Sequence, residues 1–324
     1  FNPMVGSIIV YKDEIIGKGY HQKCGEAHAE VNAVNNVKDK SLLPFSTIYV
    51  TLEPCAHYGK TPPCADLIVQ HQFKRCVIAC TDTFSEVSGK GIERIKAAGI
   101  EVELNILNNE AREINKRFFT FHEKQRPYII LKWAQTQDGF IDKKRDKLNS
   151  GINWITQTAT KKIVHKWRSQ EQAILVGWKT IENDNASLTV REVEGINPLR
   201  CIIDPNNSIS EDKTIFHDRI ETLVFNRSER NELPAHIHQI SSTNLDAQFI
   251  LDQLYNKNIL SVFVEGGAYT HQQFIENDLW DEARVLTGVN SFYEGIKAPS
   301  LKIKPKETIE LGLDTLSIYK PHKN

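Results

Sequence analysis

His28-Ala29-Glu30, Glu53-Pro54-Cys55 and Cys64 together offer one imidazole, two thiols and a flanking carboxylate. An imidazole and two thiolates can hold a zinc ion by three protein ligands, which leaves a fourth position for water and marks a catalytic zinc. Zinc lowers the pKa of such a water to roughly 7 and so supplies a hydroxide equivalent at neutral pH. A nearby carboxylate can take the water's proton and hand it to a leaving amine. His28, Cys55 and Cys64 are therefore the candidate ligands, and Glu30 the candidate proton shuttle. A structural zinc would need a fourth ligand such as His21, Cys24 or His57. Structural sites usually bring ligands in close pairs, whereas eight residues separate Cys55 from Cys64. A site without metal would leave both thiols as buried small side chains, but His-x-Glu joined to Pro-Cys is a conjunction that chance rarely makes.

These side chains must be carried by helix starts and strand ends. Met4 to Tyr11 is apolar and β-branched, Lys12-Asp13-Glu14 turns, and Ile15 to Tyr20 continues, which reads as a hairpin. Residues 28–37 read as a helix opened by His28, with Val31, Val34 and Val37 at helical spacing. Thr47 to Leu52 is a strand, and Thr61-Pro62-Pro63-Cys64 opens a helix to about Gln72. A helix start at Cys64 would favour its thiolate. A strand over 75–81, a helix over 91–98, a strand over 101–106 and a helix over 109–124 complete the segment. The order β-β-α-β-α-β-α-β-α predicts a three-layer α/β domain, residues 1–123.

Glu123-Lys124-Gln125-Arg126-Pro127 breaks the chain, and a second α/β domain is expected over 127–324. It opens on a strand over 128–134, followed by a helix over 156–170 and a strand over 173–176. Strands near 200–203 and 221–225, a helix over 247–256 and a strand over 261–264 follow. Gly266-Gly267 leads into a helix to Leu279, and strands near 284–287 and 308–319 close the domain. The glycine pair would let backbone approach a phosphate at a helix N-terminus, or simply make a tight turn. No G-x-G-x-x-G follows the first strand, so a Rossmann fold is not indicated.

Composition sets the frame. The 324 residues are 40% apolar and 25% charged, with a formal net charge of −1. No basic field draws the chain to nucleic acid or an anionic membrane, and no apolar run approaches the ~20 residues of a membrane span. Six cysteines are too sparse for a disulfide scaffold and fit a reducing cytoplasm. Cys76, Cys80 and Cys201 read as buried small hydrophobes. The numbering opens at Phe1 without an initiator Met, as a trimmed or partial record would.

His-x-Glu with Pro-Cys and a second Cys resembles the zinc-dependent nucleobase deaminases. The spacing departs from their usual Pro-Cys-x-x-Cys. Thr51-Leu52-Glu53-Pro54-Cys55-Ala56-His57-Tyr58-Gly59-Lys60-Thr61-Pro62-Pro63-Cys64 instead closely resembles the deaminase half of the bifunctional riboflavin-biosynthesis deaminase–reductase family. Asn2-Pro3-Met4-Val5-Gly6 and Gly19-Tyr20-His21 agree. In the second half so do the segments 132–139, 153–156, 184–191 and Val264-Glu265-Gly266-Gly267. The resemblance covers nearly the whole chain in order. It implies a cytidine-deaminase-like domain followed by a dihydrofolate-reductase-like one. It also implies zinc and NADPH as cofactors, a phosphorylated pyrimidine as substrate, and homo-oligomers.

Carried over residue by residue, the resemblance makes His28, Cys55 and Cys64 the zinc ligands and Glu30 the proton shuttle. Asn2, His21, Lys60, Thr61 and Asp82 match positions expected to hold the pyrimidine or its phosphate. Ala134, Trp154, Thr180, Asp184 and Gly267 match cofactor positions; Arg168, Leu188, Arg191 and Glu265 match substrate positions. Arg168 and Arg191 would fork the ribose 5′-phosphate; the alternative is a helix-surface or strand-end ion pair, more so for Arg168. Lys132 and Glu265 are the candidates for proton transfer at the carbon that receives hydride. Phe84 stands where the family often has Asn, and the family normally has a helix before Asn2. Two other readings stay open: a zinc deaminase for another base, and a metal-binding protein without catalysis.

Overall fold

A computed structural model describes residues 3–58, 62–83, 89–145 and 151–321. It divides into two compact units, Phe1–Gln125 and Arg126–Asn324.

In the first unit, β1 (Gly6–Tyr11) and β2 (Glu14–Tyr20) form the expected hairpin. Its turn places Lys12 and Asp13 at φ of 48° and 65°, the left-handed pair that matches strand twist in a two-residue turn. α1 (Ala29–Asn35), β3 (Thr47–Val50), α2 (Cys64–Gln70), β4 (Arg75–Ile78), α3 (Lys90–Ala97) and β5 (Glu101–Leu104) follow. The sheet order is β2-β1-β3-β4-β5. Only the hairpin strand β1 pairs antiparallel; β3, β4 and β5 run parallel. Ile9, Ile48, Val50, Cys76 and Ile78 of the sheet pack against Ala33, Val34, Ala65, Ile68, Ile92 and Ile95 of the three helices.

The long helix expected over 109–124 is two helices, α4 (Asn108–Ile114) and α5 (Lys116–Lys124). The break falls at Asn115, whose backbone is at φ −103° and ψ 22°. Asn115 is buried, and its side-chain amide accepts from the Met4 N–H at 2.7 Å and donates to the Met4 carbonyl at 2.9 Å. α1 is also shorter than the 28–37 span, because His28 caps it and Asn36 ends it.

The second unit comprises β6 (Tyr128–Gln135), β7 (Phe140–Asp142), α6 (Thr158–Arg168), β8 (Ala173–Gly177), α7 (Trp178–Asp184) and β9 (Leu199–Ile203). β10 (Thr222–Asn226), β11 (Ile237–Ser241), α8 (Ala247–Asn256), β12 (Ser261–Val264), α9 (Ala268–Glu276) and β13 (Glu282–Thr287) follow. β14 (Ile296–Lys297), β15 (Glu307–Leu311) and β16 (Asp314–Tyr319) close it. The main sheet runs β11-β10-β9-β8-β12-β6-β13-β16-β15. Its strands from β11 to β13 are parallel, and β16 and β15 are added antiparallel. The run over 308–319 is thus a hairpin turned at Gly312, not one strand. β7, α7 and β11 were not expected; each is short and without clear periodicity. Helices cover both faces: α8 and α9 pack on one, with Ile250, Leu251 and Phe274, and α6 and α7 on the other, with Val164 and Ile181. That explains the near-continuous apolar runs of β6, β8 and β12.

Candidate functional site

In the first unit, the expected ligands converge. His28 caps α1, Cys55 follows β3 and Cys64 begins α2. The Nδ1 atom of His28 lies 3.5 Å from Cys55 Sγ and 3.3 Å from Cys64 Sγ, and the three ligand atoms lie within 4.8 Å of one another. Zinc bonds of about 2.3 Å to sulfur and 2.0 Å to nitrogen separate such atoms by roughly 3.5 Å around a tetrahedron. Among the described residues, no fourth His, Cys, Asp or Glu joins the group, so His21, Cys24 and His57 do not close the site.

The charges fit a cation. The Cys64 thiol bonds the Cys55 sulfur and, with His28, draws the Cys55 thiol down to about 4 despite its burial. The same bond, then burial and the nearby Glu30, pushes Cys64 up. Side by side, only one of the two sulfurs ionises readily; both become thiolates beside a dication. The helix start acts on a different sulfur from the one expected. The Cys64 N–H, first of α2, donates to Cys55 Sγ at 3.3 Å, so the helix terminus favours the Cys55 thiolate rather than that of Cys64 itself.

Glu30, in the first turn of α1, is buried beside this group. Burial raises its carboxyl pKa, which suits a group that takes and returns a proton near neutrality. His21 sets its ring edge-on to His28, with centroids 5.3 Å apart. Asp82 is buried past the end of β4. Asn2, Lys60, Thr61 and Phe84 lie outside the described residues.

One supporting residue escaped the sequence reading. The Glu53 carboxylate is buried and accepts four backbone N–H groups, from Asp82, Gly89, Gly91 and Ile92, at 3.1–3.4 Å. It ties both ends of the 82–92 segment to the turn that carries Cys55. Gly91 is needed there because a Cβ would sit 2.0 Å from the Pro54 carbonyl oxygen. The signal was the Glu of Glu-Pro-Cys, but its partners lie about thirty residues further on. The large groove of this unit, about 950 Å³ and lined by Ile8, Tyr49, Val77, Leu107 and Ile114, contains none of the metal-site residues. Three buried thiols outside the group are harder to ionise: burial pushes Cys76 and Cys201 up to about 12 and Cys80 to about 11.

In the second unit, one cavity of about 410 Å³ gathers every residue singled out from that half of the sequence. Lys132 and Ala134 come from β6, Arg168 from the end of α6, and Thr180 and Asp184 from α7. Leu188 and Arg191 come from the following loop, Glu265 and Gly267 from the turn after β12, and Trp154 from the rim. Leu188 is buried with φ of 57°, a strained conformation for a leucine.

Of the two arginines expected to fork a phosphate, Arg168 meets protein groups in this structure. Arg168 spends its fork on Glu265, with Nε on Oε1 at 2.6 Å and an Nη on Oε2 at 2.7 Å; its other Nη meets the Thr189 carbonyl. Lys132 Nζ stands 3.9 Å from the same carboxylate. Burial would raise the Glu265 pKa, but Arg168 and Lys132 outweigh it and hold the group at about 2. Burial lowers the Lys132 pKa. Arg191 is exposed, and its N–H donates to Nδ1 of the buried His165 at 3.1 Å. His165 therefore carries its proton on Nε2, and burial and the arginines lower its pKa to about 4. His165 was missed, although its position three residues before Arg168 puts both on one helix face. Arg145 was missed too: it bonds Asp142 and Asp184. Lys161 Nζ sits 3.2 Å over the half-exposed Trp154 ring.

The turn after β12 suits a phosphate-bearing cofactor. Gly267 caps α9 at φ of 60° and offers no side chain to its first N–H groups, which are thus available to an anion.

Comparison with known proteins follows the same division. Residues 1–80 match the cytidine and deoxycytidylate deaminase zinc-binding region, and residues 127–288 match the RibD C-terminal domain. The chain is 36% identical over 334 residues to the riboflavin biosynthesis protein RibD of Aquifex aeolicus, covering 98% of this chain and 92% of that protein. It is 33% identical over 300 residues to RibD of Escherichia coli, covering 87% and 80%. The structure of Acinetobacter baumannii RibD, form 1, superposes with a TM-score of 0.88 at 31% identity, covering 99% of this chain and 93% of that one. A deaminase/reductase from Thermotoga maritima gives a TM-score of 0.85 at 34% identity over the same shares, 99% and 93%.

Proposed function

The chain belongs to the bifunctional riboflavin-biosynthesis deaminase–reductase family, the RibD proteins, and from that premise we propose how its residues divide the work. It is a zinc-dependent deaminase and an NADPH-dependent reductase. The two steps are hydrolysis of the 2-amino group of a diaminopyrimidinone ribosyl phosphate and reduction of the ribosyl to a ribityl chain. We assign residues 1–123 to the first and 127–324 to the second.

For deamination, His28, Cys55 and Cys64 would hold zinc, whose chemistry is to make a water ionisable near neutral pH. Glu30 takes a proton from the attacking water and delivers it to the departing amine, so that ammonia leaves. Its burial raises its proton affinity above that of an ordinary carboxylate. Glu53 keeps the Cys55 turn in place. His21 and Asp82, with Asn2, Lys60 and Thr61, hold the pyrimidine and its phosphate.

For reduction, NADPH supplies the hydride. Ala134, Trp154, Thr180, Asp184 and Gly267 hold the cofactor. Arg191 and Leu188 hold the substrate, with Arg191 on the phosphate. Arg168 positions Glu265. As hydride reaches the sugar carbon, Lys132 and Glu265 assist transfer of the balancing proton to the heteroatom bonded to that carbon. The enzyme acts on a small molecule, and no helix among the described residues is long and apolar enough to cross a membrane. We further propose a homo-oligomer in the cytoplasm, where six unpaired cysteines stay reduced.

The observation that carries this reading is the convergence of His28 Nδ1 with two thiols beside a buried Glu30. Mass spectrometry of the diaminopyrimidinone ribosyl phosphate, after incubation with the protein, zinc and NADPH, tests it. A product both deaminated and reduced is expected. Unchanged substrate would overturn it.

A further inference from the structure

The reductase cavity shares Lys179, Thr180, Gly267 and Tyr269 with a second, smaller one of about 280 Å³. This second cavity lies past the carboxyl ends of β8, β9 and β10, against the start of α9. β8 and β12 are neighbours, yet the chain leaves β8 toward β9 on one side and leaves β12 toward β13 on the other. Such a divergence opens a crevice at the strand ends where parallel sheets take dinucleotides.

Its walls are mostly apolar, with Ile203, Pro205, Ile250 and Phe274, as a purine ring requires. Its charged lining residues are Lys179 and Arg227, both exposed, and no Asp or Glu lines it. Arg227 follows β10 directly, and its N–H donates to the Pro205 carbonyl at 3.1 Å. The backbone is thus fixed. The guanidinium forms no hydrogen bond or ion pair among the described residues. A site for an unphosphorylated dinucleotide places a carboxylate on the ribose 2′-hydroxyl, whereas an arginine accommodates a 2′-phosphate.

We infer that Arg227 is the residue by which this chain selects a 2′-phosphorylated dinucleotide over the unphosphorylated one, with Lys179 adding a second positive charge. The inference rests on the reductase reading above and adds to it the source of cofactor preference. The guanidinium meets the 2′-phosphate through charge-assisted hydrogen bonds, and no bond is made or broken.

Calorimetric titration of the full chain with adenosine 2′,5′-bisphosphate and with AMP tests this without turnover. The wild type is expected to bind the bisphosphate at least about tenfold more tightly than AMP, the worth of a charge-assisted contact. Arg227→Gln should bring the two within about twofold by weakening the bisphosphate alone. Lys179→Gln should cause a smaller loss of the same kind. NADPH and NADH, titrated in parallel, should follow the same order. A preference that survives Arg227→Gln, or an equal loss of both ligands, overturns the inference. Wild-type binding of NADPH with no preference over NADH overturns it while the reductase reading stands. Binding of neither dinucleotide overturns both.

Discussion

Glu30 shows how one carboxylate acquires a chemical role from its surroundings. It sits in the first turn of α1, buried, two residues from the His28 imidazole that faces two thiols. Glu30→Gln preserves shape and removes the proton shuttle. We expect zinc content unchanged by metal analysis and the deamination rate lowered by about 10²–10⁴-fold, the range of general acid–base catalysis. Loss of metal together with activity would instead make Glu30 a structural support. His165 gives a pH prediction. Its pKa in the folded chain is about 4 against an ordinary 6.5, because burial and then the arginines disfavour its charge. The folded state thus binds fewer protons than the unfolded one between these values. Its contribution is present above pH 6.5 and is lost as pH falls toward 4. Calorimetry should show the second unit's midpoint falling across that window, and His165→Asn should flatten the fall. Glu30 was legible because its partner is two residues away. His165 was not, since its significance lies in the Arg191 N–H, supplied from a distant loop.

At the scale of elements, the deaminase site depends on a turn held from behind. Glu53→Gln leaves the four backbone donors of the 82–92 segment with a neutral acceptor in place of a carboxylate. It should destabilise the protein by about 1–3 kcal/mol, measured by denaturant unfolding, and weaken zinc retention in a competition assay with a chelator. Gly91→Ala should act in the same direction, since the new methyl would meet the Pro54 carbonyl. In the reductase unit, Arg168→Gln breaks a buried ion pair and should cost about 3–5 kcal/mol, seen in the same denaturant experiment. Strand and helix identities were readable from periodicity. The break at Asn115 was not, because apolar spacing runs on across it.

At the scale of the molecule, each unit has its own core, and the proposed function gives each its own ligand. A ligand that binds only the native state stabilises it by mass action. Chelation is therefore expected to lower the thermal transition of the first unit, and NADPH to raise that of the second, in a calorimetric scan. A single transition shifted equally by both ligands would contradict this.

The amino-acid sequence by itself pointed to the candidate zinc donors, the candidate proton shuttle and the alternation of strands and helices. In each case the information is local: a two-residue offset, a cap, a run of alternating or helically spaced apolar side chains. It also carried the family resemblance through ordered motifs in both halves. The tertiary structure alone decided which sulfur the α2 terminus serves, that Arg168 is occupied by Glu265, and that Glu53 ties the Cys55 turn to a remote loop. Those are pairings of polar groups across long sequence separations. They follow from which strand ends the sheet brings together, and no residue's type or spacing encodes the partner it will meet there.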